Sequence, residues 1–263
     1  MFKSEGIPLI VSWGGGVNST AVLIGLRQRS IRPDLILFAD TGGEKPETYA
    51  YLEILQEWLE AQEWPRIIVL RKNSIYKSLE DNCLSKGMLP SLAYGFKSCS
   101  DKWKRQPQDK YANHWPPARK CWDAGGKVRK VLGYDAGEQR RARITEDGQY
   151  SYWYPLIEWE WYREDCIRAI SKANLPLPAK SACFFCPAAK KAEVLDLSRN
   201  HPELFNRAIE MEHRALPNLT VVRGLGRHWS WEELVKNQNS PALAVLPETV
   251  AAPCYCVDGS EDE

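Results

Sequence analysis

Long hydrophobic segments are missing from this chain of 263 residues. No apolar run approaches the roughly 18 residues that a membrane-spanning helix requires. The N-terminus also lacks the basic, apolar and small-residue succession of a secretory signal. We therefore expect a cytoplasmic protein without a membrane partner. Histidine is scarce as well, and its four residues form no metal-ligand spacing, which argues against a histidine-based metal site.

Net charge is nearly absent, at +1 for the whole chain, but the charge is unevenly distributed. Residues 97–143 contain 13 Lys or Arg and only 5 Asp or Glu. Such a cluster is often an ordinary solvated face. Because Trp103, Trp115 and Trp122 interleave with these cations, the alternative is a surface for nucleic acid or another phosphate-rich substrate.

Short β-rich runs alternate with helical patterns over the first 75 residues. The strands are "IPLIVSW", "DLILFAD" and "RIIVL", and the helices are "NSTAVLIGLRQR" and "PETYAYLEILQEWLEAQ". This alternation is typical of right-handed βαβ units and predicts an α/β fold with a mostly parallel sheet. "KVRKVLGY" predicts a further strand, and helical patterns follow residue 161.

The domain organisation that we expect has three parts. Residues 1–160 form the α/β domain, which carries a basic, loop-rich insertion at about 86–130. Residues 161–245 form a smaller, helical, cysteine-containing subdomain. Residues 246–263 form a flexible acidic tail.

Three consecutive glycines separate the first strand from the first helix, in "IVSWGGGVNSTAVLI". Glycines at this position let backbone N–H groups and the helix N-terminus approach one anion closely. The spacing matches neither the Walker loop nor the G-x-G-x-x-G dinucleotide fingerprint. The turn therefore predicts a phosphate cradle of another kind.

The segment "GGGVNST", residues 14–20, resembles the PP-loop of N-type ATP pyrophosphatases, S-G-G-x-D-S-[ST]. Gly14 stands where that family has Ser, and Asn18 where it often has Asp. Three later segments are similar to phosphoadenosine phosphosulfate (PAPS) reductases: "FADTGGEKPETYAYLE", "LGYDAGEQRRAR" and "YWYPLIEW". The resemblance implies a Rossmann-like adenine nucleotide α-hydrolase fold.

The resemblance also implies a set of site residues and an ATP or PAPS ligand with Mg²⁺. Catalytic roles fall on Asn18, Glu138 and Arg141. Nucleotide-binding roles fall on Gly14, Gly15, Gly16, Ser19, Thr20, Asp40, Thr41, Gly133 and Arg140.

Eight cysteines are present, and without an export signal structural disulfides are not expected. "CFFCP" places Cys183 and Cys186 in a C-x-x-C pair, which can supply two thiolates to a metal centre. "CSDKWKRQP", which begins at Cys99, resembles a segment of the sulfur-transfer protein of DNA phosphorothioation systems. That resemblance implies a 4Fe–4S cluster on Cys99, Cys166, Cys183 and Cys186. Structural zinc and free thiols stay open as alternatives, and Cys121 is an alternative fourth ligand.

Three functions are compatible with these patterns. The first is adenylation of a substrate by ATP, followed by sulfur transfer to a nucleic acid from a donor protein such as a cysteine desulfurase or a thioredoxin-like protein. The second is reduction of PAPS or its relative, although the E-C-G-[IL]-H tail of those reductases is missing. The third is a zinc-stabilised nucleic-acid-binding protein. Cys254 and Cys256, near the C-terminus, are candidate thiol carriers.

Overall fold

The structure, a computed structural model, describes residues 6–238. Five strands form one parallel sheet in the order β3-β2-β1-β4-β5. The strands are β1 (Leu9–Ser12), β2 (Leu35–Asp40), β3 (Ile67–Arg71), β4 (Val128–Val131) and β5 (Tyr150–Trp153). This arrangement confirms the predicted α/β fold, because helices cover both faces of a parallel sheet.

Eleven helices occur in the described residues, together with short 3₁₀ turns and a π-helical turn at Asp101–Arg105. They are α1 (Val17–Gln28), α2 (Pro46–Ala61), α3 (Leu79–Lys86), α4 (Ser98–Ser100), α5 (Gln106–Ala112), α6 (Pro116–Asp123), α7 (Pro155–Glu158), α8 (Arg163–Lys172), α9 (Lys191–Asn200), α10 (Pro202–Ala215) and α11 (Trp231–Gln238). No helix in residues 6–238 is long and apolar enough to cross a membrane.

Alternation along β1 fixes the two faces of the sheet. Leu9, Val11 and Trp13 point to one core, which also contains residues of α1, α2 and α8. Ile10 points to the opposite core, which contains Ala112 of α5 and further residues of α6. Successive side chains of a strand lie on opposite faces, so a continuously apolar strand must be covered on both.

A third core is formed by helices beyond the sheet. Its buried members come from α3, α9, α10 and α11, and they include Leu79, Val194, Met211 and Trp231. Trp103 belongs to the same core, at 4% exposure. Helices from the C-terminal third of the chain therefore pack against residues that precede β4, whereas α8 packs on α1.

Residues 86–130 are more helical than the sequence predicts. Residues 98–112 form an almost continuous helical segment, and α6 follows immediately. Pro107 and Pro116 lie in the first turns of α5 and α6, where a missing N–H is tolerated. Trp115 and Trp122 pack against the core below these helices, and the Trp122 indole donates to the Gln149 carbonyl at 2.7 Å.

Candidate functional site

The glycine turn lies at the carboxyl end of β1, which is the central strand of the sheet. Gly15 has a φ of +82°, and a Cβ there would lie 2.8 Å from Thr48 and 2.9 Å from the Ser181 hydroxyl. Gly16 is the N-cap of α1 and makes no side-chain cap, and no acidic residue occupies the first turn. The first N–H groups of α1 therefore have no side-chain acceptor, and an anion is electrostatically favoured at this end of the helix.

The order of the strands reverses beside this turn. From β1 the chain adds β2 and β3 on one side, and then returns to place β4 on the other side of β1. Open α/β sheets bind ligands at such a point, outside the carboxyl ends of the strands. Gly133 follows β4 here, and a Cβ on it would lie 2.9 Å from the backbone nitrogen of Ser19. The loop after β4 is therefore in direct contact with the start of α1.

Asn18 connects these two segments through its side-chain amide. Its nitrogen donates to the carboxylates of Asp135 and Glu138, both at 2.9 Å. Its oxygen accepts from the Arg163 guanidinium at 3.0 Å. Because the amide nitrogen offers two donors, asparagine satisfies both carboxylates where aspartate would repel them. These three hydrogen-bond partners explain why asparagine rather than aspartate occupies position 18.

Arg141 joins this network from the short 3₁₀ helix Ala136–Arg141. Its guanidinium donates to Glu138 at 2.5 Å and lies 4.2 Å from the ring centroid of Tyr134. Arg141 is only 9% exposed, whereas the neighbouring Arg140 side chain is exposed. The structure therefore brings Arg141 together with Asn18 and Glu138, and leaves Arg140 at the surface beside them.

Ser19 and Thr20 have different environments, although both were expected to contact phosphate. The Ser19 hydroxyl donates to the carbonyl of Gly16 at 3.1 Å, within the turn. The Thr20 hydroxyl accepts the indole N–H of Trp13 at 3.1 Å, and Thr20 has no exposed surface. The structure thus gives Thr20 a role in fixing Trp13 in the core.

Asp40, at the end of β2, organises the segment that follows it. The carboxylate is 1% exposed and accepts from the Gly42 N–H at 2.7 Å, the Tyr49 hydroxyl at 2.8 Å and the Arg71 guanidinium at 2.8–2.9 Å. Burial and this hydrogen bond to Asp40 raise the pKa of Tyr49. Three donors occupy the carboxylate that we expected to contact a nucleoside, so in this structure Asp40 holds a loop.

A residue that sequence reasoning missed covers the glycine turn. The Ser181 hydroxyl donates to the Gly14 carbonyl at 2.5 Å and lies 3.3 Å from a carboxylate oxygen of Glu44. Glu44 is buried and is paired with Lys104 at 3.1 Å. Ser181 precedes the C-x-x-C pair by two residues, so the same segment carries the cysteines toward the turn. The sequence offered no signal for this contact.

Cys183 and Cys186 form a tight turn in which the Cys186 N–H donates to the Cys183 carbonyl at 2.9 Å. Both thiols are partly exposed and line a cavity of about 360 Å³ between the start of α2 and α9. The Cys183 sulfur lies 3.0 Å from the Thr41 hydroxyl, which ties the pair to the end of β2. The cysteine pair and the glycine turn are thereby neighbours.

The four cysteines expected to hold a cluster are not gathered in this structure. Cys166 is fully buried on α8 in the core that contains α1, where burial raises its pKa to about 12. Cys99 and Cys183 border the third core instead, which the helices beyond the sheet form. Within residues 6–238, no group of three or more His, Cys, Asp or Glu side chains is placed to hold a metal ion. The arrangement does not fit a four-thiolate centre, and Cys254 and Cys256 lie outside the described residues.

Comparison with known proteins finds similar sequences and similar structures. No protein-family model matches the chain. It is 24% identical over 250 residues to an uncharacterized protein of Methanocaldococcus jannaschii, in a match that covers 89% of this chain and 54% of that protein. The chain therefore spans about half the length of the curated relative it matches. Among solved structures it is similar to the U34-tRNA thiolase NcsA from Methanococcus maripaludis with its 4Fe–4S cluster. That match has 12% identity, 88% coverage of this chain, 80% coverage of the other and a TM-score of 0.46.

Proposed function

We propose that this chain is a PP-loop ATP pyrophosphatase that activates its substrate by adenylation, for sulfur transfer to a nucleic acid. One observation carries the proposal. The glycine turn and the 133–141 loop meet where the strand order reverses, and Asn18 links them through Asp135 and Glu138. Both segments are also those whose sequences resemble the nucleotide-binding motifs of this class.

In this proposal the turn binds the phosphates of ATP. The N–H groups of Gly15, Gly16 and the first turn of α1 donate to phosphate oxygens, assisted by the helix dipole. Arg141, held against Glu138, neutralises the charge that develops as pyrophosphate leaves. Mg²⁺ bound with ATP would screen the phosphates, and Asp135 and Glu138 are hard oxygen donors beside the turn that suit it. Ser181 moves when phosphate binds, because its hydroxyl occupies the surface of the turn.

Cys183 and Cys186 carry out the second half-reaction. The segment that contains Ser181 brings both cysteines beside the glycine turn. A persulfide sulfur on one thiol, loaded by a donor protein, attacks the adenylated atom and displaces AMP. The second thiolate then attacks the resulting mixed disulfide and releases the thiolated product, which leaves the pair oxidised. A thioredoxin-like reductant returns the pair to two thiols. No step in this scheme passes through a metal cluster.

Product analysis tests the proposal. We expect pyrophosphate and AMP from ATP, and a loss of about 10²- to 10³-fold in kcat for Arg141→Gln, since it removes one charge-stabilising donor. Arg199→Gln, an exposed position on α9, is the matched control and should leave the rate unchanged. Sulfite release from PAPS with thioredoxin, without pyrophosphate from ATP, would instead establish the reductase function. Binding of nucleic acid without any turnover would establish the third function.

A further inference from the structure

A second cavity lies away from the proposed nucleotide site. It has a volume of about 360 Å³ and opens between the end of β3, the start of α3 and residues 91–106. This volume falls within the range of about 300–1,000 Å³ that is typical of small-molecule sites. None of its lining residues belongs to the glycine turn, to the 133–141 loop or to the C-x-x-C pair. A ligand here would not compete directly with ATP.

The charged side chains that line this cavity are all cationic. Lys72, Lys86 and Lys102 line it, and no Asp or Glu does. In the described part of the chain, no carboxylate lies within 4 Å of any of these three ammonium groups. Three cations without an internal counter-ion create a potential that favours an anion from solution.

Two carboxylates on the elements that form the cavity are engaged elsewhere. Asp101 precedes Lys102, but it accepts from Arg105 at 2.5 Å and from Gln106 at 2.7 Å. Glu80, on α3, is held by both guanidinium nitrogens of Arg207, at 2.5 and 2.8 Å. These ion pairs keep the acidic groups from neutralising the lysines of the cavity.

Two of the ammonium groups are positioned by aromatic rings. The Lys72 nitrogen lies 5.1 Å from the Trp103 ring centroid, and the Lys86 nitrogen lies 5.4 Å from that of Tyr76. A cation within about 6 Å of a ring face is attracted by it, which limits how freely the side chain moves. Both lysines are thus held at the cavity wall while their N–H donors remain available.

The remaining lining combines an apolar floor with hydroxyl groups. Leu79, Leu89 and Trp103 are at most 5% exposed and form the floor. Ser91 and Ser98 lie at the wall, and the Ser91 oxygen accepts the Cys99 N–H at 2.7 Å. Because its oxygen is already an acceptor there, the Ser91 hydroxyl proton is directed toward another partner. Cations, hydroxyl donors and an apolar surface together suit a dianionic group attached to a flat ring.

We propose that this cavity binds a phosphomonoester that carries an aromatic ring. Lys72, Lys86 and Lys102 hold the phosphate, and the floor of Leu79, Leu89 and Trp103 receives the ring. Two kinds of ligand carry such a group: a free mononucleotide and the 5′-phosphorylated end of an oligonucleotide. The site is independent of the ATP site in the proposed function.

Calorimetric titration of the wild-type chain with phenyl phosphate tests the proposal, with phenol and inorganic phosphate as the two half-ligands. We expect saturable binding of phenyl phosphate, weaker binding of inorganic phosphate and no binding of phenol. The double variant Lys72→Gln with Lys102→Gln should weaken phenyl phosphate binding about tenfold or more, since charge-assisted hydrogen bonds are lost. Lys172→Gln, exposed on α8, should not change it. Equal affinity in the double variant, or phenol binding as tight as phenyl phosphate, overturns the proposal.

Alkylation of Cys99 provides a second, site-specific readout on the unaltered protein. Cys99 lines the cavity and is partly exposed, whereas the partly exposed Cys121 lies elsewhere. Phenyl phosphate should slow modification of Cys99 by N-ethylmaleimide and leave Cys121 unaffected. AMP and a 5′-phosphorylated dinucleotide are tested in the same way. The ligand that protects Cys99 at the lower concentration identifies the source of the phosphomonoester. If none of these phosphates protects Cys99, the proposal fails.

Discussion

The side-chain nitrogen of Asn18 lies 2.9 Å from a carboxylate oxygen of Glu138, across 120 residues of sequence. Asp135 accepts from the same nitrogen at 2.9 Å. The glycine turn and the loop after β4 are therefore joined by one amide. This contact turns two separate sequence motifs into a single site, and it makes position 18 the most informative place to alter the protein.

Asn18→Asp should lower the free energy of unfolding by about 1–3 kcal/mol, because it places a third carboxylate beside Asp135 and Glu138. Mg²⁺ should restore more stability to this variant than to the wild type, since the cation offsets the repulsion. Urea unfolding with and without Mg²⁺ measures both effects. Asn206→Asp, exposed on α10, is the control. Equal stability of Asn18→Asp and the control without Mg²⁺ would contradict the network.

Gly15→Ala should destabilise the fold by about 1–3 kcal/mol, because alanine at a φ of +82° is strained and its Cβ would lie 2.8 Å from Thr48. Gly148→Ala provides a matched comparison, since a Cβ there meets nothing within 4 Å. Thermal unfolding of both variants gives the difference. The described geometry of the turn would be wrong if the two substitutions had the same effect.

Buried cysteines should react more slowly with N-ethylmaleimide than partly exposed cysteines. Burial raises the pKa of both Cys83 and Cys166 to about 12, so neither forms a thiolate near neutral pH. Cys121 and Cys186 are partly exposed and should react with N-ethylmaleimide in the folded protein. Peptide mass spectrometry before and after denaturation measures each site. Rapid labelling of Cys166 in the folded state would show that α8 does not pack on α1 as described.

The buried carboxyl group of Glu212 should make the free energy of unfolding depend on pH. It is 4% exposed, and burial raises its pKa in the folded state although the N–H groups of Trp231 and Leu225 oppose the shift. Since the unfolded value is about 4.3, the folded state binds more protons between the two values, and stability falls as pH rises through that window. The wild type should therefore lose stability relative to Glu212→Gln as the pH rises above the unfolded value. Chemical unfolding over a pH series that starts at this value checks this, and an opposite slope would refute it.

The order of strands and helices in the first 75 residues was predictable, because the apolar runs of β1, β2 and β3 are short and the helices between them are long. The helices at 98–123 were not, because Pro107 and Pro116 suggest breaks when read without knowing that they lie in first turns. A local sequence pattern contains the proline but does not show whether that proline begins a helix or interrupts one.

For the site, the glycine turn was predictable from its own residues, whereas its neighbours were not. Ser181 reaches Gly14 across 167 residues, and Arg163 reaches Asn18 across 145. Such pairs arise from the packing of whole elements, which no local spacing encodes. Thr20 is the opposite case, since a hydroxyl in the first turn suggested phosphate contact while its place on the buried face of α1 assigns it to the core.

Hydrogen–deuterium exchange with and without ATP tests the central claim most directly, because it reports where the nucleotide binds. Binding at the glycine turn predicts that ATP slows exchange of backbone amides in residues 13–20 and 133–141 and leaves α9 unchanged. If ATP at saturating concentration leaves both segments unprotected, the nucleotide site proposed for this fold does not exist.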